Sequence, residues 1–287
     1  MVDGTAVAAP QAPPEAASDP LIPRNGRYVV GFDGSTASRI ALDWATARAG
    51  ELRRPLVLVG VLEEGEQSQA REGARELSVL LDDRARVLGA AEDAPPVSTL
   101  LVRGDVADAL AHAAQAGDAV VVGTDKTGYA MGRILGIRSV QLTALARGVL
   151  IVVPVVDLRM RLGIVAAVAD VPGTDDAVRI AAREAARRSV PLHLVHAVPF
   201  PADPAEQVRG DRLLARAAQV AAEVPGSVPA VPHLVHRSPA DALLNLTRDQ
   251  ALLVVRRSPH PGVLGVGRTM HDLLVNANVP LVVLPPA

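Results

Sequence analysis

The residues best suited to chemistry lie in one glycine-rich run, Gly123-Thr124-Asp125-Lys126-Thr127-Gly128-Tyr129-Ala130-Met131-Gly132-Arg133-Ile134-Leu135-Gly136-Ile137-Arg138-Ser139. It follows an apolar stretch and precedes a segment of helical period. Such a loop directs backbone N–H groups and the positive end of a helix at phosphate. The spacing fits neither the Walker A pattern nor GxGxxG, so from spacing alone a long strand-to-helix loop remains the default. A second candidate is Val29-Val30-Gly31-Phe32-Asp33-Gly34-Ser35. It sets a carboxylate at the end of an apolar run, with Gly34 available for a tight turn and Ser38 as the expected helix N-cap.

Other chemistries find less support. Six of the seven histidines, His193, His196, His233, His236, His260 and His271, fall in the second half of the chain. A metal reading would use His196 and His236, at the carboxyl ends of neighbouring strands. A spacing of three along a strand puts His193 and His196, like His233 and His236, on opposite faces, and no further ligand completes a set, so no metal is assigned. The lack of cysteine removes disulfides, thiolate catalysis and Cys-zinc sites, and agrees with a reducing cytoplasm. No Ser/His/Asp order, carboxylate dyad or GxSxG elbow is present, which argues against an enzyme.

These residues must be positioned by alternating strands and helices. Apolar runs at 28–32, 56–62, 97–102, 119–123 and 149–153 alternate with amphipathic segments beginning near Ser38, Ser68, Asp105 and Arg138. The order restarts with runs at 162–169, 192–198, 231–236, 252–255 and 280–284. The repeat keeps register: Ala41-Leu42 matches Ala177-Val178 and Pro55-Leu56 matches Pro191-Leu192, both 136 apart (177 − 41, 191 − 55). Continuous apolar strands separated by helices predict two tandem α/β units, each a doubly wound five-stranded parallel sheet. Ligands of such sheets bind at the carboxyl ends of the strands, where both candidate stretches fall. The expected division is a disordered Pro/Ala-rich tail at 1–23, a first domain at 24–157 and a second at 158–287.

With 49% hydrophobic and 21% charged residues the chain can fill two cores, and 29 Lys+Arg against 31 Asp+Glu give a net charge of −2. That balance argues against a nucleic-acid partner. The apolar runs at 149–156 and 162–169 fall short of the about 20 residues a bilayer span needs, and no membrane partner is expected.

Taken in order, the Val29–Ser35 stretch, Leu56-Val57-Leu58-Val59-Gly60-Val61, Arg103-Gly104-Asp105 and the 123–139 loop resemble the universal stress protein family. The resemblance is good over about 26–154 and looser over about 160–286. It implies an adenine nucleotide α-hydrolase-like fold with strand order 3-2-1-4-5 and pairing through the fifth strands, hence an intramolecular pseudo-dimer, with a homodimer also open. Nucleotide-binding members carry G-x2-G-x9-G-[S/T]. Gly123 and Gly136 keep the first and third glycines, while Lys126 replaces the second and Ile137 the final hydroxyl.

Carried over residue by residue, the resemblance places Asp33 by the adenosine, the backbone at Val61 by adenine, Gly104 beside the pocket, and Gly123 and Gly136 by the phosphates. The Lys126 ammonium would meet phosphate, and Arg138 and Ser139 stand close enough to compensate for Ile137. The implied ligand is ATP or AMP, with Mg2+ accompanying ATP. The implied role is a cytoplasmic stress-response protein acting through conformation and a regulatory protein partner. A nucleotide-hydrolysing or nucleotidyl-transfer enzyme, for which the loop offers only Asp33 and Asp125, and a purely structural module are the alternatives. The second half departs further: Arg256 falls near the first glycine, Pro259 and Pro261 remove donors, Asp170 only approximates Asp33, and Arg237 answers Gly104. No ordinary ATP site is expected there.

Overall fold

Short runs of Val, Leu and Ile flanked by Pro, Gly or Asp become strands, buried on both faces within the sheet and partly exposed at its two outer edges, and Ala/Leu/Arg segments between them become helices. The computed structural model describes residues 19–23, 25–63, 67–125, 137–201, 203–259 and 266–287. The first half runs β1 (Tyr28–Gly31), α1 (Thr36–Leu52), β2 (Leu56–Leu62), α2 (Gln67–Gly89), β3 (Val97–Arg103), α3 (Val106–Ala113), β4 (Ala119–Thr124), α4 (Ile137–Leu145) and β5 (Val149–Pro154). The second repeats it as β6 (Ile164–Ala167), α5 (Thr174–Arg188), β7 (Leu192–Val198), α6 (Pro204–Ala222), β8 (Ala230–His236), α7 (Pro239–Leu246), β9 (Leu252–Arg256), α8 (Arg268–Asn276) and β10 (Leu281–Leu284).

The strands form one ten-stranded sheet in the order β3-β2-β1-β4-β5-β10-β9-β6-β7-β8. Each half has the expected order 3-2-1-4-5 with every internal pairing parallel. The two sheets are continuous because β5 and β10 pair antiparallel, Ile151 opposite Val282. An edge strand left bare would invite association, and this join covers both fifth strands. Helices α1, α2, α5 and α6 cover one face, and α3, α4, α7 and α8 the other, giving two cores that each run through both halves. Among the described residues no helix is long and apolar enough to cross a membrane.

Two local expectations are corrected. Ser35, rather than Ser38, caps α1: its side chain accepts the Ser38 N–H at 3.2 Å. Residues 19–23, placed by composition with the tail, are packed; Leu21 and Ile22 are buried in the first core, and Asp19 enters an ion network.

That network centres on Arg48 of α1. Its guanidinium donates to both carboxylate oxygens of Glu184 on α5 at 2.8 and 2.9 Å, to Asp19 at 2.8 Å and to the Tyr28 hydroxyl at 2.6 Å. The Tyr28 hydroxyl in turn donates to Asp19 at 2.5 Å. Trp44 packs edge-on to Tyr28 and lies under the Arg48 guanidinium. Burial opposes charge on Glu184, yet the hydrogen bonds and charge of Arg48, joined by Arg187, hold its pKa at about 2 instead of 4.5. A depressed acid stabilises the fold above its unfolded pKa of 4.5, and that contribution, about 3 kcal/mol, is lost as pH falls from 4.5 toward 2. Glu184→Gln is expected to lower stability in urea melts at pH 7 by about 3 kcal/mol. It should also flatten the stability loss between pH 4.5 and 2; a variant with the wild-type acid profile would show that Glu184 is not the titrating group.

Candidate functional site

The carboxyl ends of β1, β2 and β4, with the starts of α1, α3 and α4, enclose a cleft of about 940 Å3. Strand order puts it there, because β1 and β4 are neighbours whose crossover helices leave to opposite faces of the sheet. Val59, Val61, Ala107, Leu110, Val122 and Leu142 make an apolar wall, and Asp33, Ser35, Ser38, Thr124, Ser139 and Gln141 add polar groups. A planar apolar ring with a polar tail fits such a lining.

Of the residues singled out in the sequence, Asp33, Val61, Gly123, Arg138 and Ser139 line this cleft together. Gly104 does not; it turns with a φ of +132° and donates its N–H to the Leu62 carbonyl, while Asp105, Val106 and Ala107 beyond it reach the cleft. Ile137 opens α4. Lys126 and Gly136 lie outside the described residues.

Asp33 is held by its own turn: Oδ1 accepts the Ser35 N–H at 2.9 Å, and the Asp33 N–H donates to Ser38 Oγ at 3.4 Å. Burial raises its pKa, but the hydrogen bonds from Ser35 and Ser38 outweigh burial and the net direction is down, so it is a carboxylate at neutral pH. Asp105 caps α3, accepting the N–H groups of Ala107 and Asp108. Glu63, at the tip of β2, pairs with Arg138 at the start of α4 across the cleft mouth. Among the described lining residues, four carboxylates (Asp33, Glu63, Asp105, Asp125) face one guanidinium (Arg138). That balance does not attract a bare polyphosphate.

Gly123 has a structural duty independent of any ligand. A Cβ built on it would lie 2.0 Å from the Ala37 carbonyl oxygen, so the first turn of α1 rests directly on the strand end.

A model of the universal stress protein family matches residues 25–154 and again residues 160–285. The chain belongs to the universal stress protein family. No curated protein matches. Solved structures do: a universal stress protein from Archaeoglobus fulgidus DSM 4304, 13% identical, covers 92% of this chain and 97% of its own with a TM-score of 0.73. A candidate universal stress protein from Pseudomonas aeruginosa UCBPP-PA14 (18% identity, 92% and 94% covered) gives 0.65. A protein of unknown function from Pseudomonas aeruginosa PAO1 (18%, 92% and 93%) gives 0.58.

In this universal stress protein the second half is built differently at the equivalent place. The strand registers of the two halves match Tyr28 with Ile164 and Ala119 with Leu252, which sets Arg256 where Gly123 stands and Gly173 where Ala37 stands. The glycine has changed sides: a Cβ on Gly173 would lie 2.6 Å from Arg256 Nε. The Arg256 guanidinium fills the space, donating to the Pro285 carbonyl at 2.6 Å and to Asp176 at 3.2 Å. Asp170 is not the counterpart of Asp33. Phe32 and Val168 both donate to the neighbouring strand, at Val59 and Val195, so Ala169 takes the position of Asp33. Arg237 does occupy the Gly104 position, just beyond the end of β8.

The histidines group otherwise than the sequence suggests. His196 Nδ1 lies 2.8 Å from the Val168 carbonyl and does not meet His236. Instead His193 Nδ1 and His233 Nε2 lie 3.0 Å apart across β7 and β8, and burial lowers both pKa values. This contact depends on strand register, which pairs His193 with Val231 and His233 with Val195. Among the described residues no group of three or more His, Asp or Glu side chains could hold a metal.

Gly123→Ala is expected to destabilise the fold by about 1–3 kcal/mol in urea melts, since a methyl would have to displace helix backbone. Unchanged stability would mean that α1 does not rest on Gly123.

Proposed function

We propose that the first-half cleft binds an adenine nucleotide and that the protein is a non-enzymatic stress-response regulator working in the cytoplasm through a protein partner. The observation that carries this reading is the convergence of Asp33, Val61, Arg138 and Ser139 on one roomy, largely apolar cleft, beside a second half that sets Arg256 where Gly123 stands. Adenine would lie on the apolar wall near Val61, with Asp33 accepting from the ribose hydroxyls. Phosphate would point at the start of α4, where Arg138, Ser139 and the positive end of the helix favour an anion.

The acidic lining decides between ligands. AMP needs only the α4 end, whereas ATP brings charge that Arg138 alone does not balance; Lys126, and Mg2+ carried on the phosphates, would supply the rest. Calorimetric titration of the full chain with adenosine, AMP and ATP, with and without Mg2+, tests this. Lys126→Ala should weaken ATP about tenfold or more and leave adenosine unchanged, because a charge-assisted hydrogen bond is worth about 1.5–3 kcal/mol. Glu63→Gln should release Arg138 and tighten AMP up to about fivefold without altering adenosine, the range of an exposed ion pair. No heat with any of the three ligands would overturn the reading.

A further inference from the structure

The contacts between α1 and α5 join residues that occupy the same place in the two halves. Arg48 meets Glu184 and Glu51 meets Arg187, each pair 136 residues apart. The same equivalence holds for the helix ends: Arg53 and Ser189, which follow α1 and α5, both adopt a left-handed backbone with φ of 51° and 53°. These are therefore positions at which a twofold pair of identical halves would set each residue against its own copy. Here each has acquired the opposite sign from its counterpart.

The charges form a row across the dyad, Arg48–Glu184–Arg187–Glu51, held by the two contacts between halves and by a 2.9 Å bond from Arg187 to Glu184 within α5. Pairing two first halves would change the row to Arg–Arg–Glu–Glu, and pairing two second halves to Glu–Glu–Arg–Arg. Arg48 is 5% and Glu184 1% exposed, so like charges at those places would be shut away from water. The apolar strand junction gives no such selection, since Leu150 and Ile151 opposite Val283 and Val282 would pair equally well with their own kind.

We infer that the α1–α5 charges make the fifth-strand interface selective: it accepts only the complementary half, so the chain closes on itself and rejects like-with-like pairing with a second copy.

The test inserts a protease site into the exposed connector, at Met160, which is 92% exposed. The folded chain is cut, unfolded in urea, refolded so that each half can choose, and weighed by native mass spectrometry. Mixed pairs are expected to exceed either like pair by about a hundredfold, as buried like charges cost several kcal/mol. The Glu184→Gln version, which removes the sign without reversing it, should raise second-half like pairs at least tenfold; should that variant not fold, the wild-type ratio stands by itself. Like and mixed pairs near a statistical 1:2:1 ratio, or halves that stay single, would overturn the inference.

Discussion

A parallel sheet of order 3-2-1-4-5 ends in a fifth strand whose outer edge offers unpaired N–H and C=O groups, and the rest of this structure depends on how that edge is closed. Antiparallel pairing of β5 with β10 closes it, which makes two sheets into one and lets both hydrophobic layers run from half to half. Backbone hydrogen bonds and aliphatic contacts supply cohesion there, but they do not distinguish one half from the other. Distinction comes from the layer above, where Arg48 and Glu184 are buried together and hold each other ionised.

Once two halves are bound as unlike partners they are free to diverge, and the strand tips show how far they have. The first half keeps Gly123 under the first turn of α1 and an open cleft beside it. The second moves the glycine to position 173, and the long Arg256 side chain enters from the opposite element. Both solutions satisfy close packing between strand end and helix, so the exchange preserves the fold while setting a guanidinium bonded to Pro285 and Asp176 at the strand end.

Most of the architecture is legible in the sequence because its signals are local: β-branched runs, proline or glycine at their ends, and a repeat that keeps register. The order of strands and the fifth-strand join come from family resemblance, since no local pattern specifies which edges meet. Side-chain partnerships across elements were not legible. Nothing local in the sequence marks Arg48 and Glu184 as buried partners; the signal is their offset of 136, shared with the matched Ala41 and Ala177. The His193–His233 contact and the replacement of Asp33 by Ala169 turn on strand register, which shifts by single residues that sequence matching does not resolve. Within the cleft, residue types were readable but their occupations were not: Asp105 caps a helix, and Glu63 holds Arg138.

The central claim is an asymmetric pair, one half open to a nucleotide and the other rebuilt around Arg256 at the equivalent strand end. Hydrogen exchange followed by mass spectrometry, on the full chain with and without saturating AMP or ATP, tests it most directly. The account predicts slower exchange at the end of β1 and start of α1, at the tip of β2 and at the start of α4, with no change at the start of α5 or the end of β9. Protection at α5 and β9 equal to or greater than that in the first half would contradict it.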